Sequence, residues 1–184
     1  MKFKPGFLVI LLALHLILLL NIQFTAWPEM LSYPHLFSKG FRLYKDFIYP
    51  YPPLLTWMLK SFYLIFGFRV LTLQIFTWIY ILASDILIFL IFTRILRKTL
   101  AVLFLSTSYI FIQSFLDGNM MWFDNALVLP VLISFYFAIE WFSKKKYKYL
   151  FLASFSFTLA ILIKQTAIIY YLAFVVMVII TSLS

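Results

Sequence analysis

The stretch Trp27–Gly67, WPEMLSYPHLFSKGFRLYKDFIYPYPPLLTWMLKSFYLIFG, is the longest break in an otherwise nearly continuous apolar sequence. It holds Glu29, His35, Arg42, Asp46 and the run Tyr49-Pro50-Tyr51-Pro52-Pro53. Lipid offers no hydrogen bonds to irregular backbone, so non-helical chain at membrane depth needs protein or water around it. The stretch therefore reads as an ordered cap on the outer face of a membrane, held by the helices that flank it.

Its second half decides the topology. Thr56, Lys60 and Tyr63 recur at helical spacing between Pro53 and Gly67, which predicts a helix over 53–66 with one polar stripe on an apolar cylinder. That is the pattern of a helix lying at the interface. Charge tests the same point. With this helix on the surface, nine basic residues fall inside (Lys2, Lys4, Arg94, Arg97, Lys98, Lys144, Lys145, Lys146, Lys148) and six outside (Lys39, Arg42, Lys45, Lys60, Arg69, Lys164), the 15 of the sequence. A crossing helix would put both basic connections outside, against the positive-inside rule. Glu29, Asp46, Asp117 and Asp124 then share the outer face.

Around the cap, apolar runs cover Phe7–Phe24, Phe68–Phe92, Leu100–Leu116, Ala126–Phe142, Tyr149–Ile163 and Thr166–Leu183. Each full span needs about 20 residues, and the fifth run is short, so Lys164 reads as snorkelling to the outer interface. The first run ends in Asn21-Ile22-Gln23-Phe24 without a small-residue cleavage site and is followed by further spans, which predicts an uncleaved span with a cytoplasmic N-terminus. The expected fold is all-α: a polytopic transmembrane helix bundle of about six spans whose outer loop carries two interfacial helices. The expected organisation is a single membrane domain over 1–184, with the first span at 1–24, the outer loop at 25–67 and five apolar helices in 68–184.

Composition agrees. Of 184 residues, 65% are hydrophobic and 11% charged, against about 25% charged in soluble domains, and mean hydropathy is +1.05. A net charge of +9 would point to nucleic acid in a soluble domain, but here the basic residues sit in short connections between spans, where orientation explains them. Nucleic acid is not an expected partner. With no cysteine there is no disulfide, thiolate metal site or catalytic thiol, and His15 and His35 are not spaced as a ligand pair.

Six polar groups are candidates for chemistry, and all but Glu140 have a structural reading beside the functional one. Glu29, after Trp27-Pro28, sits in a helix first turn where the dipole stabilises a carboxylate whether or not it reacts. Asp124 stands just before the fourth run, where Asp is a favoured N-cap. Asp46 can hold a turn in Tyr44-Lys45-Asp46-Phe47. Asp85, on a stripe with Gln74 and Trp78, is an acid within a span; it is a functional candidate by default, or half of a pair with another helix, the reading preferred here. Glu140 faces the inner lysine cluster. Lys164 is an anchor or a phosphate ligand.

The order Glu29, Gly40, Tyr44-Lys45-Asp46-Phe47, Tyr51-Pro52-Pro53-Leu54, Phe66-Gly67 resembles the first outer loop of the GT-C superfamily of membrane glycosyltransferases, in particular bacterial aminoarabinose transferases and protein O-mannosyltransferases. Met121-Trp122-Phe123-Asp124 resembles the acidic site opening their fourth span, and Ile161-Leu162-Ile163-Lys164-Gln165 the lysine closing the fifth. The resemblance implies transfer of a sugar from a polyprenyl-phosphate-sugar donor to a lipid, glycan or protein acceptor, by a multi-pass protein of the cytoplasmic (inner) membrane amid its lipids. It implies Glu29 as general base, Asp124 as a second acid positioning acceptor or cation, and Lys164 as a phosphate contact, with Arg42, Lys45, Asp46 and Lys60 on the substrate-binding face. A divalent cation stays open as cofactor, and no clear ligand set for one is present: Tyr49-Pro50-Tyr51 stands where several relatives carry an acidic-basic pair. Those relatives have about twice as many spans, so the sequence reads as their N-terminal part. The alternatives are a small non-catalytic membrane protein that binds or moves a polyprenyl lipid, and a structural subunit whose outer acids only cap helices.

Overall fold

A computed structural model describes residues 5–183; Lys2 and Lys4, on which part of the expected orientation rests, lie outside the described residues. The fold is all-α. Eight α-helices are present among the described residues: α1 (Pro5–Asn21), α2 (Pro28–Ser38), α3 (Leu54–Phe66), α4 (Val70–Ile95), α5 (Thr99–Ile112), α6 (Phe123–Lys144), α7 (Tyr147–Ile163) and α8 (Ile168–Leu183). A π-turn at Gln113–Asp117 extends α5, and a 3₁₀ turn at Gln165–Ala167 leads into α8. Helices α4, α5 with its extension, and α6 are long and apolar enough to cross a membrane; α1, α3, α7 and α8 are shorter apolar helices.

The breaks follow local chemistry. Pro28 opens α2 at a position whose N–H has no intrahelical partner in any case. Gly67 ends α3 at φ +90° and Gly118 ends the π-turn at φ +71°, backbone that side-chain-bearing residues seldom adopt.

The helices alternate between two ends. At the basic end, Arg94 closing α4 pairs with Glu140 near the end of α6 at 2.9 Å, and Lys144 joins the same carboxylate and reaches the Tyr149 hydroxyl in α7. This confirms the expected contact of Glu140 with the lysine cluster. The start of α1 lies there too, Leu8 and Leu11 packing with Phe89, Phe92, Leu96 and Val102. At the opposite end, called the cap end, Thr25 N–H donates to Asn119 O at 2.9 Å, and the Asn119 amide donates to Leu19 O and Ile22 O.

Both ends of α3 lie at the cap end. Tyr51, just before it, stacks on Phe123 at the start of α6 (3.7 Å between ring centroids), and its last residues turn through Gly67 directly into α4, which starts at the same end. The largest buried cluster is here, joining Met30, Tyr49, Leu55, Leu59, Tyr63, Leu73, Met121, Phe123 and Ile163.

The polar stripe of α3 faces protein rather than solvent. Thr56 and Tyr63 are buried and Lys60 half-buried, while Trp57, Leu64, Ile65 and Phe66 are exposed. The stripe meets partners in the cap: the Tyr63 hydroxyl donates to Met30 O at 3.0 Å, Thr56 meets Tyr49, and the Lys60 ammonium lies over the Phe37 ring at 4.0 Å. In lipid, polar groups are satisfied by protein and apolar ones can face outward, so an inverted amphipathic helix is the stable choice.

Candidate functional site

The cap holds its shape through an aromatic knot. Tyr49, 4% exposed, donates its hydroxyl to Pro52 O at 3.2 Å and lies 2.6 Å from Thr56 Oγ1. Burial pushes that hydroxyl up to about 12, against the lowering effect of Thr56. Tyr33 of α2 meets Tyr49 edge-on at 5.0 Å and Phe47 face-on at 5.7 Å. Trp27, before α2, touches Trp122, before α6, at 5.2 Å, and its indole N–H points at Met120 Sδ. These contacts bring the starts of α2 and α6 together, although about ninety residues separate them.

Glu29 stands in the first turn of α2, half-buried. Its Oε2 is buried and has no hydrogen-bond partner. Burial first, and then the Glu29 carboxylate, raises the pKa of the Tyr33 hydroxyl. An unpaired, desolvated carboxylate oxygen costs free energy that a bound donor would recover.

Asp124 stands in the first turn of α6, not at its cap. Trp122 occupies the cap position and makes no side-chain capping bond. The expected N-cap role is therefore corrected: the extended Trp122 backbone starts the helix, and the Asp124 carboxylate goes instead to Lys164. Lys164 follows the last turn of α7 in extended conformation, with its side chain 20% exposed against 60% for Asp124. It meets the acid at the cap end, where Asp124 is the more exposed of the two.

The remaining expected site residues are arranged differently. Arg42 and Asp46 close on each other, Arg42 N–H and Nε meeting Asp46 Oδ2 at 2.6 and 3.1 Å and Nη2 meeting Oδ1 at 3.1 Å. The guanidinium, by direct hydrogen bond, holds the Asp46 carboxyl below the usual range. This is the turn-holding role. Lys45 is exposed beside it. Lys60 lies against Phe37, eight residues along α2 from Glu29, or about 12 Å at 1.5 Å per residue. The structure thus gathers the elements of Glu29, Asp124 and Lys164 and leaves Arg42, Lys45 and Asp46 on the exposed loop. Among the described residues no three His, Asp or Glu side chains come together as a metal cluster.

Two features went unread in the sequence. A groove of about 520 Å³ runs between Pro28, Leu31, Ser32 and His35 of α2 and Phe68-Arg69-Val70. Asn119 locks the cap end: besides its two donations it accepts from the Trp78 indole at 2.9 Å, and it is 2% exposed. Asp117-Gly118-Asn119 has the composition of a turn, but nothing local to it signals that Asn119 is buried. Asp85 fulfils the paired reading, its Oδ2 lying 2.7 Å from His15 Nδ1.

A family model described as dolichyl-phosphate-mannose-protein mannosyltransferase matches residues 51–184, a segment that contains α3, Asp124 and Lys164 and begins after Glu29. No curated protein and no solved structure matches.

Proposed function

Since the chain belongs to the dolichyl-phosphate-mannose-protein mannosyltransferase family of glycosyltransferases, we propose that its cap end receives a polyprenyl-phosphate-sugar at the outer face of the cytoplasmic membrane and serves transfer of the sugar to an acceptor hydroxyl. The observation that carries this reading is the asymmetry of the two acids. Glu29 Oε2 is buried and unpaired, whereas Asp124 is neutralised by Lys164. A free carboxylate in a half-buried site is suited to take a proton, and a base in that role contributes about 10²- to 10⁴-fold.

In the proposed step the acceptor oxygen attacks the anomeric carbon as Glu29 removes its proton, the sugar–phosphate bond breaks, and the configuration inverts. The departing phosphate needs a cation. Lys164 supplies one by exchanging Asp124 for a phosphate oxygen, leaving Asp124 to orient the acceptor or a cation. The groove beside Arg69 and His35, and a second of about 430 Å³ against Trp57, Phe62 and Ile65, offer apolar walls for a prenyl chain. Those walls equally suit a protein that only binds or moves such a lipid, and activity separates the two.

The test is transfer of labelled sugar from polyprenyl phosphate in membranes containing the full-length protein. Glu29→Gln is expected to lower kcat by about 10²-fold or more with donor binding retained. Asp124→Asn is expected to lose activity less severely. Unchanged transfer in both variants would reject the assigned roles, and donor binding without transfer in the parent protein would favour the lipid-binding reading.

A further inference from the structure

Below the cap, His15, Asp85 and Gln113 join α1, α4 and the π-turn in a buried polar network. The side chain of Gln113 donates from Nε2 to Gly118 O at 3.3 Å, which leaves its Oε1 facing His15 Nε2 at 2.8 Å. His15 Nε2 therefore carries a hydrogen, and the other ring nitrogen serves Asp85 Oδ2. Each member is at least nine-tenths buried: His15 0%, Asp85 5% and Gln113 4% exposed.

The account does not close at Asp85. Its second oxygen, Oδ1, is buried without a hydrogen-bond partner, and so is the hydroxyl of Ser106 on α5, a residue 4% exposed. Both residues line one small cavity of about 10 Å³, walled otherwise by Leu8, Leu11, Ile88, Tyr109 and Ile110. An unmet carboxylate oxygen and an unmet hydroxyl in an apolar interior each carry a desolvation cost that a hydrogen-bond partner would offset.

We propose that this cavity binds a single water molecule that donates to Asp85 Oδ1 and hydrogen-bonds Ser106 Oγ. The size fits one, since a buried water needs about 10–15 Å³ and two to four polar partners. A metal ion would demand more oxygen ligands than these two side chains supply. The bound water completes the acceptor set of Asp85, which holds His15, which holds Gln113 and through it Gly118 at the entry to the cap. The site is independent of the reading of Glu29 and Asp124.

The test compares the full chain with Ser106→Ala and Ser106→Val in lipid nanodiscs, by thermal unfolding and by infrared spectroscopy in H₂¹⁶O and H₂¹⁸O. The wild type is expected to show an isotope-sensitive O–H stretch of an internal water. Ser106→Ala keeps the space but removes one of the water's two partners, so its band weakens and shifts in frequency. Ser106→Val fills the space, abolishes the band and lowers Tm by about 2–4 °C or more relative to Ser106→Ala. If Ser106→Val does not fold, the wild-type and Ser106→Ala bands decide alone. Absence of an isotope-sensitive band in the wild type, or a Ser106→Val protein as stable as Ser106→Ala, would overturn the proposal.

Discussion

Glu29 and Tyr49 show how the same burial does opposite work at two residues of one cap. At Glu29 the cap leaves one carboxylate oxygen buried without a partner. At Tyr49 it supplies partners on both sides, and burial moves the hydroxyl from 10.0 to about 12. Because the raised group is protonated in the folded cap, its contribution is fully present below pH 10 and is lost as pH rises through about 12. Unfolding monitored by tyrosine absorbance should therefore show stability falling between those values, and Tyr49→Phe should flatten part of that fall. An unchanged slope in the variant would mean that Tyr49 does not hold the cap. The Asp124–Lys164 pair belongs at this scale too. Each residue was legible as a candidate from its place beside an apolar run, but their pairing across forty positions was not, because ion pairs between separate elements depend on packing that no local pattern encodes.

Among the elements, α3 was the most legible in extent and the least in orientation. Pro53 and Gly67 bracket it in the sequence as they do in the structure. The stripe of Thr56, Lys60 and Tyr63 was visible, but its direction depends on what lies on either side. With the polar partners inside the cap and lipid outside, the usual assignment of polar face to solvent reverses. The segment from the π-turn to Trp122 is the other decisive element. Asn119 bonds α1 through Leu19 and Ile22 and α4 through Trp78, so one side chain ties two helices to the start of α6. Asn119→Ala should cost about 2–4 kcal/mol, the sum of three such bonds in a buried setting, readable as lowered Tm in detergent. A loss below about 0.5 kcal/mol would show that the cap end is held by its aromatic contacts alone.

For the molecule as a whole, composition announced the membrane class and the apolar runs foretold α1 and α4 to α8 to within a few residues. Alternation of the helices between a basic end and a cap end followed from charge, and the ion pairs of Arg94 and Lys144 with Glu140 agree with it. The buried pair of His15 and Asp85 was half-visible, since an acid inside a span calls for a partner, yet a partner 70 positions away cannot be picked from spacing. The central proposition is that α3 does not cross, so that Glu29, Asp124 and Lys164 share one end of the bundle, opposite the lysines after α6. The chain has no cysteine, so single cysteines can report on this without background. Lys45→Cys and Lys146→Cys, probed in intact cells with a membrane-impermeant maleimide, are predicted to behave oppositely: Lys45→Cys labels at once, and Lys146→Cys labels only after permeabilisation. Labelling of both positions from the same side would place a crossing helix between them and contradict the account.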